Sequence, residues 1–346
     1  MITKIIKEAE IQKAKKYIGY VDKIVIITHL SPDGDAIGSS LGLYHFLLEE
    51  GKQVNVLVPN DFPEYLKWMN GARDIINYEK HPELVAETIS AAELIFCLDF
   101  NALKRIQRIG PLVAKSNAKK VLIDHHLGSE AFCNVTMSYP QISSTSEMIF
   151  RFICRMGFFE VITKECAECI YAGMMTDTGA FTYNSNNPEI YYIIGELLRK
   201  GIDKDEIYRK VYHNYSLDAL RLRGFVLSEK LKVYPEYGAA LITLSKQELN
   251  PFQCRKGDTE GLVNLPLTLA GVNFAVLIKE DKDYTKISLR STGSIPCNEF
   301  ASNIFSGGGH LNAAGGEFYG AFEEAVALFE RELPGFFEKL KDRMIH

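Results

Sequence analysis

Long apolar runs are missing from this sequence. No stretch within its 346 residues reaches the ~18 apolar residues that a membrane-spanning helix needs. The opening residues, MITKIIKE, mix charged and apolar side chains and lack the apolar region of a signal peptide. We therefore expect no membrane partner and a cytoplasmic location.

A strong charge of one sign is also missing. Lys and Arg number 39 against 44 Asp and Glu, which gives a formal net charge of −5. Proteins that coat long duplex DNA use a broad basic surface. This charge therefore excludes long duplexes as partners but is compatible with a local pocket for an anion.

A disulfide framework is not indicated either. The seven cysteines are odd in number and scattered, and most lie within apolar stretches: positions 97, 133, 154, 166, 169, 254 and 297. This distribution is typical of reduced, buried thiols in a cytosolic protein. The chain contains no internal repeat and no low-complexity tract, and its length predicts two domains.

Short apolar strands alternate with helices in the first half. The β-branched run 24–27 is typical of a strand buried on both faces. Further strands are predicted at 54–58, 94–98 and 121–123, and helices at 2–19, 36–50, 82–91 and 103–117. Such alternation predicts a parallel sheet with right-handed crossovers and helices on both faces.

The pattern changes further along the chain. Helices are predicted at 144–156, 164–175, 188–199 and, with an interruption near 215–216, over 203–232. Strands at 239–244, 272–279 and 285–291 surround a helix near 259–270 and precede a glycine-rich segment at 306–316. We expect an α/β protein with a catalytic domain at 1–189, a helical connector at 190–216 and a smaller mixed-sheet domain at 217–346.

Acidic and histidine residues follow the predicted strands of the first domain. They are His29, Asp33 and Asp35 after the first strand, Asp99 after the third, and Asp124, His125 and His126 at the end of the fourth; Asp177 follows a later helix. Each carboxylate alone could be a helix cap or a turn former. Together, the strand-linked groups fall at carboxyl ends, the edge where open α/β sheets bind ligands.

Several carboxylates brought to one edge of a sheet repel each other strongly in a partly dry site. Cations normally compensate this repulsion. Imidazole and carboxylate groups together are ligands for divalent metal ions. The pattern therefore predicts a multi-metal enzyme.

These residues resemble the motifs of a known family. His29xxxAsp33xAsp35, Asp99, Asp124-His125-His126 and Asp177 are similar to the four motifs of the DHH phosphoesterases. The segments 286–291 (KISLRS) and 306–316 (SGGGHLNAAGG) resemble the DHH-associated C-terminal domain, although Ser306 stands where the family often has a first glycine. The nearest subgroup is that of the short-oligonucleotide exonucleases, or nanoRNases, that also dephosphorylate 3′-phosphoadenosine 5′-phosphate (pAp).

The resemblance implies a role for each motif residue. One metal ion would be held by His29, Asp33 and Asp99, and a second by Asp35, Asp99, His125 and Asp177, with Asp99 bridging. The catalytic set would be Asp124, which orients a ligand, His126, which faces the phosphate, and Arg290 and His310. Mixed ligation favours Mn²⁺, with Mg²⁺ as the alternative, and such a pair activates a hydroxide for in-line attack.

The second domain is expected to anchor the substrate. Its glycines would let backbone N–H groups approach an anion, and Arg290 can bind a phosphate in bidentate fashion. The predicted contacts are Arg290, Ser291, Gly307, Gly308, Gly309 and His310. The small residues after His310 predict the start of a helix, and reaction and anchor would meet in a cleft between the domains.

The expected reaction is hydrolysis of a phosphoester in oligonucleotides of a few residues or in pAp. One rival is an inorganic pyrophosphatase or exopolyphosphatase, which would share the first-domain motifs but not the Gly-Gly-Gly-His segment. A second is a cyclic-dinucleotide phosphodiesterase, which often carries sensory domains that this chain lacks. A non-catalytic nucleotide-binding protein would lack a metal ligand, whereas every ligand position is intact here. Aromatic residues in the connector would permit a homodimer.

Overall fold

The computed structural model describes residues 3–253 and 257–345, which form two compact units, 1–214 and 215–346. Cys254 lies outside the described residues. The other six cysteines are free thiols, four of them buried, as the sequence predicts for reduced cysteines. Among the described residues, no helix is both long and apolar enough to cross a bilayer.

The first unit is built on a parallel sheet of six strands in the order β3-β2-β1-β4-β5-β6. The strands are β1 Lys23–Ile27, β2 Gln53–Val58, β3 Ile76–Asn77, β4 Leu94–Leu98, β5 Lys119–Asp124 and β6 Val135–Ser138. Its helices are α1 Glu8–Tyr20, α2 Gly34–Glu49, α3 Pro82–Ala91, α4 Gly110–Lys115, α5 Thr145–Arg155, α6 Lys164–Asp177, α7 Pro188–Arg199 and α8 Lys204–Tyr212. Helices α7 and α8, which the sequence analysis assigns to the connector, lie inside this unit.

Both faces of this sheet are covered. Ile24 and Ile26 of β1 point into the larger core, with residues of α2, α5 and α6, whereas Val25 and Ile27 point into a smaller core with α3 and α4. Alternate side chains of a strand point to opposite faces, so a strand buried on both faces needs apolar residues throughout. The predicted parallel sheet with helices on both faces is confirmed.

The second unit contains a mixed six-stranded sheet in the order β11-β12-β10-β9-β8-β7. Its elements are α9 Leu217–Phe225, β7 Leu231–Tyr234, β8 Ala239–Leu244, α10 Lys246–Leu249, β9 Phe274–Glu280, β10 Thr285–Ser291, α11 Cys297–Ile304, β11 Gly308–His310, β12 Ala313–Phe318 and α12 Phe322–Ile345. Strands β8 and β9 are parallel and the other pairs antiparallel. The predicted mixed sheet is confirmed.

Some predicted helices differ. The helix predicted at 103–117 is a 3-10 segment, Leu103–Ile109, followed by the short α4, because Gln107 has a non-helical backbone (φ 42°, ψ −117°). The helix predicted near 259–270 is a 3-10 segment, Leu262–Thr268, that contains Pro266. Proline lacks the N–H that a continuous α-helix requires. The N-terminal helix begins at Glu8, and the helix predicted to reach 232 gives way to β7 at Leu231.

Candidate active site

The carboxyl edge of the parallel sheet has its switch point between β1 and β4, which are neighbours in the sheet although β2 and β3 separate them in sequence. His29 follows β1, and Asp99 directly follows β4. Asp124 is the last residue of β5, the next strand in the sheet. Open α/β sheets bind ligands at such a switch point, and the predicted groups meet there.

His29 is buried and faces carboxylates with one nitrogen. Its Nδ1 lies 2.8 Å from the Leu30 carbonyl oxygen, which can only accept a hydrogen bond, so Nδ1 carries the hydrogen. Its Nε2 lies 3.5 Å from Oδ2 of Asp99 and 3.9 Å from Oδ1 of Asp33. Burial lowers the pKa of His29 to about 4, so the ring is neutral near pH 7 and the Nε2 lone pair points at carboxylate oxygens.

His125 has the same arrangement with other carboxylates. Its Nδ1 lies 3.1 Å from the Ile142 carbonyl oxygen. Its Nε2 lies 3.5 Å from Asp177, 3.6 Å from Asp99 and 3.8 Å from Asp35. Burial opposes a charge on this ring, but the carboxylates outweigh burial and raise the pKa of His125. A positive charge, either a proton or a metal ion, is therefore favoured at this nitrogen.

Asp99 lies between the two histidines. Its Oδ2 faces His29 and its Oδ1 faces His125, so each carboxylate oxygen serves a different imidazole. Burial and the neighbouring carboxylates raise the pKa of Asp99 well above its usual range. Its backbone is left-handed, with φ 63°, a conformation that Asp tolerates better than most residues. This turn brings the side chain between the two histidines.

Asp33 both caps a helix and faces the site, the two roles that its sequence context allows. Its Oδ1 accepts the backbone N–H groups of Asp35 and Ala36, at 3.1 and 3.0 Å, and thereby caps α2. The same oxygen faces Nε2 of His29. The cap orients the carboxylate toward the site, so capping does not exclude a ligand role.

The residues that hold Asp35 are not among those predicted from the sequence. The Asp35 carboxylate accepts the backbone N–H groups of Thr145 and Ser146, at 2.7 and 2.8 Å, at the first turn of α5. The Thr145 hydroxyl donates to Asp99 at 2.8 Å. Helix N-termini bind anions through such N–H groups. The run Ser143-Ser144-Thr145-Ser146 is the available signal in the sequence, and by itself it predicts only the start of a helix.

Glycines let α2 and α6 approach closely beneath the site. A Cβ atom on Gly38 would lie 2.6 Å from the Cys169 carbonyl oxygen and 2.8 Å from the Gly173 backbone. Helix α2 begins at Gly34, next to Asp35, and α6 ends at Asp177. The contact therefore fixes the distance between two elements that carry site carboxylates.

Asp124 and His126 form a separate pair. The His126 Nδ1 lies 2.7 Å from Oδ1 of Asp124. Asp124 is fully buried, and its Oδ2 has no hydrogen-bond partner among the described residues. Burial tends to raise the pKa of Asp124, but the hydrogen bond from His126 and the nearby imidazole charges lower it. Asp124 therefore remains a carboxylate that orients the His126 ring.

Three groups of donors in this unit could hold metal ions: His29, Asp33 and Asp99; Asp35, His125 and Asp177; Asp99, Asp124 and His126. Donor atoms within each group lie within 4.8 Å of one another. Metal bonds of about 2.0–2.2 Å place two ligands of one ion roughly 3–4 Å apart. The lone pairs, carboxylates and separations therefore fit divalent cations.

In the second unit, Arg290 and Ser291 are the last two residues of β10. The Arg290 Nη1 donates to the Leu289 carbonyl at 2.9 Å, and its Nε is buried without a partner in the described part of the chain. The Ser291 hydroxyl donates to the Ile295 carbonyl at 2.6 Å and accepts from Asn312 at 2.9 Å. This hydroxyl stabilises the local turn, and its contact with substrate stays a prediction.

The glycine-rich segment is a β-hairpin. Gly308, Gly309 and His310 form β11, which pairs with β12, so the helix start predicted after His310 is wrong. A Cβ on Gly307 would lie 2.0 Å from the Gly315 carbonyl oxygen, and one on Gly309 2.5 Å from the Ala313 carbonyl oxygen, whereas Gly308 is open. Gly307 and Gly309 are thus required by strand packing.

Comparison with known proteins supports this architecture. Residues 23–174 match the DHH family, N-terminal domain, and residues 241–335 match the DHHA1 domain. A solved structure of an exopolyphosphatase-related protein from Bacteroides fragilis is 58% identical, covers 98% of this chain and 100% of that chain, and has a TM-score of 0.94.

Two curated relatives are bifunctional oligoribonuclease and PAP phosphatase NrnA proteins. The one from Bacillus subtilis is 28% identical over 310 residues, 89% of this chain and 93% of that protein. The one from Thermus thermophilus is 29% identical over 315 residues, 90% of each chain. The resemblance inferred from the motifs is confirmed. The chain belongs to the DHH family of phosphoesterases and carries a DHHA1 domain in its second unit.

Proposed function

We propose that this protein hydrolyses short oligonucleotides, as an oligoribonuclease acting from a strand end, and removes the 3′-phosphate of pAp. The observation that carries the proposal is Asp99, whose two oxygens face two imidazoles at 3.5 and 3.6 Å. A carboxylate so placed suits a bridge between two metal ions. The names of the two curated relatives support the substrate class.

In this proposal, His29, Asp33 and Asp99 hold one divalent ion, and Asp35, Asp99, His125 and Asp177 hold the second. Mixed imidazole and carboxylate ligation favours Mn²⁺, with Mg²⁺ as the alternative. When bound, such a pair activates water for in-line attack and stabilises the leaving oxygen.

The remaining groups of the first unit orient the reactants. Asp124 holds the hydrogen on Nδ1 of His126 toward itself, so we assign the opposite edge of that ring to the phosphate. Thr145 and the N-terminus of α5 fix Asp99 and Asp35 before substrate arrives. Preorganised ligands need not reorganise during the reaction.

The second unit supplies the anchor. We assign the phosphate contacts to Arg290, Ser291, His310 and the backbone of Gly307, Gly308 and Gly309. The Arg290 guanidinium is planar and suits bidentate binding of a phosphate. Action on substrates inside the cytoplasm and assembly as a homodimer stay predictions.

A second candidate function is hydrolysis of inorganic polyphosphate or pyrophosphate. It is favoured by one observation, the description of the Bacteroides fragilis protein as exopolyphosphatase-related. The same metal-binding groups would serve this reaction. The two candidate functions would differ in what the second unit binds, a nucleotide or an inorganic phosphate chain.

A side-by-side assay tests the proposal. Purified protein with Mn²⁺ is incubated with pAp, with RNA of two to five nucleotides, with a cyclic dinucleotide and with pyrophosphate, and the His125→Ala variant serves as the blank. We expect release of phosphate from pAp and of mononucleotides from the RNA. Turnover of pyrophosphate alone would favour the second candidate, and no turnover of any substrate would contradict hydrolysis.

A further inference from the structure

The register of the second sheet places a second cation beside the glycine hairpin. Arg290 pairs with Ala313 of β12, which pairs with His310 of β11, so these three side chains form one row on one face of the sheet. Lys286, four residues before Arg290 on β10, pairs with Glu317 on the same face. Directly paired residues of a sheet share a face, and so do residues two apart along a strand.

The row between them has almost no side chains. It consists of Ser288 on β10, Gly315 on β12 and Gly308 on β11. A Cβ atom on Gly308 would meet nothing within 4 Å, and one on Gly315 would meet only the Ile287 carbonyl oxygen, at 3.3 Å. The three rows therefore form a trough whose floor is glycine and serine. Arg290 and Lys286 stand on its two sides, roughly 13 Å apart along β10.

Lys286 is exposed and makes no salt bridge within 4 Å with another described residue, although the carboxylates of Glu260 and Asp281 lie near enough to act on its charge. Its neighbours are occupied: Lys279, opposite it on β9, pairs with Asp281 at 3.6 Å, and Glu317 accepts a hydrogen bond from Tyr319 at 2.6 Å. On β10 itself, Arg290 has a buried Nε without a partner among the described residues. Two cations thus stand on the same face of the sheet, beside a floor that a ligand can approach closely.

We propose that Lys286 is a specificity-determining residue that binds a second phosphate of the substrate, distinct from the phosphate held by Arg290 and His310. The ligand is a nucleotide with two phosphate groups, such as a nucleoside 3′,5′-bisphosphate or a 5′-phosphorylated dinucleotide. Ser288 lies between the two cations and donates to the sugar or to a bridging oxygen. This inference rests on the proposed function, because it assigns the substrate of the same site.

Steady-state kinetics with two substrates tests it. The 5′-phosphorylated diadenosine RNA carries two phosphates, and the same dinucleotide without the 5′-phosphate carries one. Loss of a charge-assisted contact should raise the KM of Lys286→Gln for the first substrate by about tenfold or more. The KM for the second substrate and kcat for both should stay at the wild-type values. Lys282→Gln, which removes a lysine from the turn between β9 and β10, is the matched control and should behave as wild type.

Equal changes for both substrates, or none for either, would overturn the role of Lys286 while leaving the proposed hydrolysis intact. If wild-type protein hydrolyses neither dinucleotide, the proposed function fails instead. In that case calorimetric binding of pAp and of adenosine 3′-monophosphate, which lacks the 5′-phosphate, to the full chain decides the inference. Lys286→Gln should then weaken binding of pAp but not of adenosine 3′-monophosphate, and unchanged binding of pAp would contradict the second phosphate contact.

Discussion

Single hydrogen bonds fix the orientation of the carboxylates in the site. Asp99 is buried, and its Oδ1 accepts a hydrogen bond from the Thr145 hydroxyl at 2.8 Å. The same oxygen faces Nε2 of His125. A group that orients a metal ligand affects metal affinity although it does not touch the metal. We therefore expect Thr145 to affect metal binding through its hydrogen bond to Asp99.

Replacing Thr145 by valine tests this point. Valine keeps the shape but removes the hydrogen bond, and we expect Mn²⁺ affinity to fall by about 10–100-fold, the usual effect of losing such a partner. Titration calorimetry measures the affinity. Thr88→Val is the control, because the Thr88 hydroxyl donates to the Leu84 carbonyl within its own helix, α3, and to no site residue among those described. Unchanged affinity in Thr145→Val would show that the contact does not support metal binding.

The buried imidazole of His29 predicts a pH dependence of stability. Its pKa is about 4 in the folded chain and about 6.5 when unfolded. Between these values the unfolded chain binds a proton that the folded chain does not, so stability falls as the pH decreases from about 6.5 to about 4. The difference corresponds to about 3 kcal/mol.

Urea unfolding of chelator-treated protein across this pH window measures the effect. His29→Gln should lose about 3 kcal/mol less than wild type between the two ends. His81→Gln, which replaces an exposed histidine, should keep the wild-type dependence. Parallel curves for wild type and His29→Gln would mean that His29 is not held neutral by the fold.

At the scale of elements, α2 and α6 make a close backbone contact in the first unit. Gly38 meets the backbone of Cys169 and Gly173, which cannot move aside as a side chain could. Gly38→Ala should destabilise the protein by about 1–3 kcal/mol or more, as expected for overpacking. It should also weaken Mn²⁺ binding, because α2 carries Asp35 and α6 carries Asp177.

Gly195→Ala is the matched substitution. Gly195 also lies within a helix, α7, but a Cβ there would meet nothing within 4 Å. This variant should gain up to about 1 kcal/mol from helix propensity and keep its metal affinity. Urea unfolding and calorimetry on both variants make the comparison. Equal stability of the two would contradict the close contact.

The elements also show what local sequence can predict. Strands β1, β4 and β5 are buried on both faces, so their apolar runs were clear, and α7 lies at the predicted 188–199. Strands β11 and β12 were missed because glycine and alanine lack strand propensity; their pairing comes from packing. The long α12 is not among the predicted helices, and Pro334, a residue that usually ends a helix, lies within it.

The candidate site also has residues that could be predicted from the sequence and contacts that could not. The positions of His29, Asp99 and Asp124 follow from strand ends and could be predicted. The hydrogen bonds that hold Asp35 at the N-terminus of α5 could not be predicted. They join residues 110 apart in sequence through backbone N–H groups, which nearly every residue carries. A pattern of residue types can predict side-chain ligands, but it does not predict which backbone groups hold those side chains in place.

At the scale of the whole molecule, the net charge of −5 limits how the substrate is attracted. A protein that neutralises many phosphates loses affinity steeply with salt, with a logarithmic slope of about −0.9 per contact on duplex DNA and about −0.7 on single strands. The cationic contacts proposed above are three, Arg290, His310 and Lys286, so we expect the substrate to be recognised locally.

We therefore expect kcat/KM to decrease with substrate length and to depend weakly on salt. Between RNA of two nucleotides and RNA of about 24 nucleotides, kcat/KM should fall at least tenfold, because the proposed contacts bind only the first few phosphates. For the short substrate, the logarithmic slope against NaCl concentration should be about −1 to −2. An uncharged osmolyte series controls for effects of solute concentration alone. Equal turnover of both lengths, or a slope of about −5 or steeper, would require an extended basic surface, which the charge of this chain argues against.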